Sequence, residues 1–396
     1  MGPGMPNPFG FDLSQLMRWL QSPGPLNLDV AREVARAIAT ADPQTGVPGT
    51  EPVIDAAAAA AFESVVRAAQ TSVADLTGIP GALTVPSRCL TRREWSDATL
   101  DGLAPVLTTL ATALATTPGS EGDENAQTPD AMFAMVMQSI LPLLLGVFAG
   151  AMVGQLSHQT LGQYDLPLPL DGQPELRFVV RNVDAFAEEW SVPIDEMRYA
   201  LALRETVHGA QRSIPWVRAR FVRLASDFVG AYEAQSSAIE EQLSGIDFTN
   251  PESMQLGLEG MPDAGALLGA MRSERQGPML EELQRYVSVL EGYADVVVET
   301  LGTQMVPTHA RIDEALRRHR LERGDASVFV DGLLGLELDR DHYERGVAFC
   351  RGVIERAGMD GLNRLWEGEH LLPTRPELDA PGLWLARIDL PTDDGS

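Results

Sequence analysis

The chain has 396 residues, of which 44% are hydrophobic, 22% charged and 6% aromatic. That balance excludes a wholly disordered, collagen-like or disulfide-scaffold protein, and the length suffices to bury a sizeable core. Thirty basic against 56 acidic residues leave a formal charge of −26, so the surface field repels nucleic-acid phosphate and anionic lipid. No nucleic-acid partner is expected. Every basic residue is arginine, and without lysine a P-loop is impossible. Cys89 and Cys350 lie far apart with no C-x-x-C, which suits a reducing compartment. The start of the sequence lacks a basic region followed by an apolar run, and a cytoplasmic location is expected.

Residues 1–25 are rich in Gly and Pro and read as a flexible arm, 26–390 as a single domain, and 391–396 as a tail. Val30, Val34, Ala37 and Ile38 recur at helical spacing within 27–41. Asp42 to Pro52 reads as a loop. The alanine-rich run 54–76 is a strong helix candidate, because alanine loses little on entering a helix. Residues 91–114 read as one or two helices, and 116–130 as an acidic loop and the best candidate for a mobile segment. The clearest strand signal is Leu176 to Val180. The fold class is mainly α with a minor strand element.

From Ala131 to Ser157 the chain carries no charge, which by window length passes as a membrane span. Pro142 interrupts it, Gln138 and Gln155 sit in or near it, and no basic anchors flank it. A buried central helix, with Gly146, Gly150 and Gly154 admitting close neighbours, explains the same facts and is preferred. No stable membrane insertion is expected.

One constellation carries chemistry. Asp195 and Glu196 suit a helix N-terminus, Met197, Ala200 and Leu201 give an apolar stripe, and Pro215 ends or kinks the helix. Arg204-Glu205-Thr206-Val207-His208 is then one residue away from His-Glu-x-x-His. In that motif two histidines one turn apart bind zinc, and the glutamate polarises the bound water. On this segment alone an ordinary amphipathic helix with a hydrogen-bonded histidine is the preferred explanation.

The wider sequence resembles the bacterial zincin-like metallopeptidase family. The resemblance rests on LGQYDLPLP (161–169), NVDAFAEEWSVP (182–193), the motif helix with its IPWVR tail, VLEGYADVVVE (289–299) and two long C-terminal stretches, 333–358 and 362–388. It implies a mostly helical zincin-like domain in which His208 is the second metal histidine and Glu205 the general base. Glu291 is taken as the third zinc ligand, opening a helical pattern with Val289, Val296 and Val297; a solvated helix acid is the plain alternative. Tyr293 could bond a substrate oxyanion, although a core tyrosine is simpler.

Arg204 stands where the family pattern has a zinc histidine. A guanidinium has five donors and no usable lone pair, so it cannot ligate Zn. We therefore expect Arg204 to occupy the vacated cation position and to pair with Glu205 or Glu291, leaving an impaired pseudoenzyme or binding module. The alternative is an active zinc-dependent metallohydrolase with a substitute ligand, Glu205 as base and a peptide or protein as substrate. A membrane-associated protein anchored through 131–157 is a third possibility. His158 could approach from a sequence-distant position, whereas His309, His319, His342 and His370 read as solvent-facing. Arg317, Arg318, Arg320 and Arg323 read as a solvated helix face. Cys350 reads as a buried hydrophobe, and Cys89, near Arg88, Arg92 and Arg93, as a thiol whose pKa could be lowered.

Overall fold

The structure is a computed structural model that describes residues 24–42, 49–115, 129–233, 271–321, 330, 333–334, 336, 338–390, with backbone alone at 129–140 and 321. The expected arm, the acidic loop as far as residue 128 and the tail fall outside the described residues. Within them the chain is mainly helical, with one small sheet. The order is α1 (Leu28–Thr40), α2 (Ala56–Thr77), α3 (Gly81–Thr84), β1 (Ser87–Leu90), α4 (Arg92–Ala115), α5 (Pro129–Leu156), β2 (Leu176–Val179), α6 (Val180–Glu189) and α7 (Ile194–Ser213). There follow α8 (Pro215–Val229), α9 (Gln276–Met305), α10 (His309–Leu321), α11 (Arg340–Asn363), α12 (Arg375–Asp379) and α13 (Pro381–Ile388).

Local chemistry sets these boundaries. The Asn27 side chain accepts the Val30 amide at the start of α1, and Asp55 accepts that of Ala58 at the start of α2. Gly78 closes α2 in the left-handed region at φ 66°, where a side chain would be strained. The 91–114 stretch is one continuous helix despite Pro105. Strands β1 and β2 pair in parallel, Ser87 opposite Leu176 and Leu90 opposite Val179. Gly162 makes an isolated antiparallel bridge to Phe178, which lays 161–165 beside β2.

Helix α7 is the centre of the molecule. It packs against α2, α3, α6, α8, α9, α10 and β2, and every side chain from Ala200 to Arg212 is buried. Pro193 precedes it, and it ends at extended Ile214 because Pro215 has no N–H to continue the ladder and instead opens α8.

Two glycine-mediated crossings fix its surroundings. The described part of the apolar segment, Leu141–Leu156, lies on α1: a Cβ at Gly150 would come within 2.3 Å of the Ala31 carbonyl oxygen. The glycine row is thus a packing face. Helix α4 is as long and apolar as a membrane span needs, with half of its apolar window buried inside the protein. Deeper in, α9 crosses α11 at Gly292 and Gly346; a Cβ at Gly346 would sit 1.9 Å from the Ser288 carbonyl oxygen. Glu291 neighbours Gly292 at this crossing, and α9 also packs on α7. Gly346→Ala is therefore expected to destabilise the protein by about 1–3 kcal/mol through overpacking, read as a lower urea midpoint; an unchanged midpoint would show that the crossing has room.

Candidate functional site

Arg204 and His208 lie one turn apart on α7, and Glu291 and Asp295 lie one turn apart on α9, so the two pairs face each other across the interface. Arg204 donates through Nη2 to Glu291 Oε2, and through Nη1 to Asp295 Oδ1 at 2.6 Å. Arg320 arrives from α10, with Nη1 3.1 Å from Asp295 Oδ1 and 3.6 Å from Glu291 Oε2. Exposure of the four side chains runs only from 3% to 20%. Burial opposes the charge on Arg204, but Glu291 and Asp295 more than offset it and push its pKa up. Burial likewise opposes the charge on Asp295, and Arg320 and Arg204 outweigh it and hold the carboxyl low. Two guanidinium and two carboxylate charges thus cancel in a buried cluster.

His208 is fully buried, and its tautomer can be read from its neighbours. Gln211 Nε2 donates to the Leu290 carbonyl at 3.0 Å, so its Oε1 faces His208 Nδ1 at 3.1 Å. Nδ1 therefore carries the proton, and Nε2 presents a bare lone pair. Nε2 has no hydrogen-bond partner and lies 3.7 Å from Glu291 Oε1. Burial, then the charge on Arg204, drives the His208 pKa well below its ordinary value, so this is a neutral ring beside a carboxylate and not an ion pair.

Glu205 turns to another side of the helix. Both carboxylate oxygens accept from the Tyr164 backbone N–H, at 3.1 and 3.0 Å. Gly162 lies so close that a Cβ there would be 2.5 Å from Glu205 Cδ. Its pKa is pushed up to about 8, first by burial and also by Asp165, with the Tyr164 amide pulling the other way. Asp165 accepts the Leu161 amide at 2.9 Å and pairs with His319 Nε2 at 3.0 Å. Although fully buried, it keeps a lowered pKa because of His319, whose own pKa Asp165 raises against burial.

The structure therefore brings Arg204, His208 and Glu291 together and leaves Glu205 outside the ionic cluster. Of the two partners expected for Arg204, Glu291 pairs with it and Glu205 does not. Glu291 does not open its helix: α9 begins at Gln276 and places it mid-helix. Tyr293 is a core residue, donating to Asn363 Oδ1 at 2.7 Å. His158 is committed elsewhere, Nδ1 at 2.9 Å from Arg92 Nη1 and Nε2 at 2.8 Å from the Ile38 carbonyl.

Several expectations need correction. His309 is buried and His319 is paired with Asp165, so neither is a solvent-facing ring. Arg320 points inward to α9, whereas Arg317 and Arg318 form exposed pairs one turn along their own helix; Arg323 lies outside the described residues. The Cys89 thiol is pushed up to about 11, by burial first and then by Glu63, not lowered by the nearby arginines. Sequence reasoning missed Asp295, Arg320 and the Asp165–His319 pair. The one available signal was Glu291 and Asp295 at i, i+4, which predicts two acids on one helical face.

A catalytic zinc ion needs three protein ligands and a water. Here the first position is a cation, Glu291 already accepts from that cation, and only the His208 lone pair is free. Among the described residues no group of three or more His, Cys, Asp or Glu side chains is disposed to hold a metal ion. The donor set does not fit zinc.

The domain is mainly helical, and its central helix sets Glu205 and His208, spaced E-x-x-H, with His208 opposite Glu291 of α9. The family model for zincin-like metallopeptidases matches residues 26–385, and the chain belongs to that family. A crystal structure described as "a putative hydrolase with a novel fold", from Chloroflexus aurantiacus, shares the fold at a TM-score of 0.61 and 22% identity, over 92% of this chain and 99% of that one. No curated protein sequence matches the chain.

Glu205 gives a pH prediction. A carboxyl raised to about 8 in the fold and ordinary when unfolded stabilises the protein below the ordinary carboxylate range. That contribution is lost as pH rises toward 8. Glu205→Gln removes the ionisation, so between about pH 5 and 8 the variant should gain stability relative to wild type, by a few kcal/mol at the upper end. The difference cancels His208 and His319, which titrate in both proteins. Urea unfolding curves that stay parallel across this window would refute it.

Proposed function

We propose that this chain is a zincin-like family member that works without zinc, its hydrolytic chemistry impaired, retaining the domain as a binding or regulatory module for a peptide or protein, with residence in the cytoplasm. The observation that carries this is the Arg204 guanidinium bonded to both Glu291 and Asp295. The two buried arginines supply beside Glu291 the positive charge that a metal ion would otherwise bring. Glu205 is fully buried, held by the Tyr164 amide under Gly162 and outside the ionic cluster.

A second reading rests on the unpartnered His208 Nε2, whose tautomer and direction suit a ligand. In that reading Arg204 swings away, another residue completes the set, and Glu205 serves as general base. The two readings part on metal content. Wild-type protein after gel filtration should carry far less than stoichiometric zinc, and peptide hydrolysis should stay at background. Arg204→His should raise zinc occupancy toward stoichiometric, since it adds an imidazole one turn from His208 and frees Glu291. Stoichiometric zinc in the wild type would sink the metal-free reading, and no gain in the variant would remove any zinc role from this helix.

A further inference from the structure

A second polar site opens away from the ionic cluster. The segment from Gln163 to Arg177 and the corner where α7 meets α8 line a small cleft open to solvent. Two buried donors in its wall have no partner: Arg212 Nη1 and Gln163 Nε2. Arg212 is 5% exposed and Gln163 2%. The amide orientation of Gln163 is fixed, because its Oε1 accepts from Arg177 Nη1 at 2.8 Å and arginine can only donate. Its Nε2 is thus a true donor left over.

Arg212 is packed between rings, with its guanidinium carbon 4.9 Å from the Phe221 centroid and 5.9 Å from that of Tyr164. No carboxylate within salt-bridge reach pairs with it among the described residues. Arg218 also lines the cleft and donates to the Arg212 carbonyl at 3.3 Å. Of the two acids in the wall, Glu175 accepts from Arg177 Nε at 2.7 Å, and Asp171 is exposed at the rim. A buried cation without a counter-charge is costly, and in a protein with 26 excess negative charges carboxylates are plentiful. Its lack of one here marks a place for an anion from outside.

We propose that this cleft is an oxyanion site that takes a carboxylate or phosphate group on Arg212 and Gln163. Both are planar or fixed donors, and a charge-assisted bond from guanidinium to oxyanion is the strong kind. The proposal does not depend on the metal question, although Gln163 and Tyr164, which line the cleft, also meet Glu205 through their backbone amides.

Thermal unfolding of the full chain in EDTA, with inorganic phosphate or acetate against chloride at equal ionic strength, tests it. At millimolar concentration at least one of the two anions raises the unfolding temperature by a few degrees beyond chloride. A shift with phosphate alone assigns a phosphate group, and a shift with acetate assigns a carboxylate. Arg212→Gln should weaken binding by about tenfold or more, the loss of a charge-assisted hydrogen bond, while unfolding at or above the wild-type temperature when no anion is added. A merely structural arginine would instead destabilise the anion-free protein. Gln163→Glu keeps the acceptor for Arg177 but sets a carboxylate in the cleft that Arg212 lines, and it should abolish the shift even if the first variant fails to fold. No effect beyond chloride, or a full shift retained by Gln163→Glu, overturns the proposal.

Discussion

The Arg204 guanidinium, bridging two carboxylates one turn apart on α9, is the contact on which the arrangement of the central helices depends. Each of the two acids comes from α9, the bridging cation from α7 and the second cation from α10. Three helices thus meet at a neutral vertex. A buried ion pair is no guarantee of net stability, because desolvation offsets much of the attraction. Its directional consequence is firmer. Removing any one member strands a buried charge at a cost of about 3–5 kcal/mol, so the vertex specifies how α7, α9 and α10 sit even where it adds little to total stability.

In the proposed metal-free reading, that vertex takes over a metal's role in divided form. A divalent ion would bring two positive charges to a point and demand lone pairs around it. Two guanidinium groups bring the same charge spread over planes, and demand acceptors. Glu291 and Asp295 satisfy the second demand. The consequences reach the rest of the motif. His208 keeps the tautomer that Gln211 and the Leu290 carbonyl impose, yet its lone pair faces a carboxylate at 3.7 Å. Glu205 is satisfied by the 161–165 segment, which the bridge to Phe178 holds against β2. Each motif residue therefore has a structural occupation that does not need the others.

Much of this was legible before any coordinates. The alanine-rich helix, the 176–179 strand and the stop at Pro215 follow from local chemistry that acts over a few residues. Motif and resemblance together left Glu205 and Glu291 as partners for Arg204, and folding selects Glu291. Asp295 and Arg320 were not legible, because their importance depends on which face of α9 meets α7 and on where α10 returns. Arg320 illustrates the limit. Its neighbours Arg317 and Arg318 are solvated, and nothing in the cluster of four separates the one that turns inward. The Cys89 setting failed for a similar reason, since sequence neighbours suggested positive charge while burial and Glu63, brought close by folding, decide the thiol.

Helix α7 carries two buried arginines in opposite circumstances, and the contrast separates structure from binding. Arg204 is compensated by carboxylates of its own chain, so its charge is spent on holding helices together. Arg212, two turns on, lies between aromatic rings with a donor unfilled in the wall of an open cleft. Both side chains are buried, yet among the described residues only Arg204 meets a carboxylate. A chain so rich in acids could place one beside Arg212 by a single substitution. Among the described residues no acid does so, and an oxyanion from solution meets the charge and donor demand of Arg212 in the proposed site.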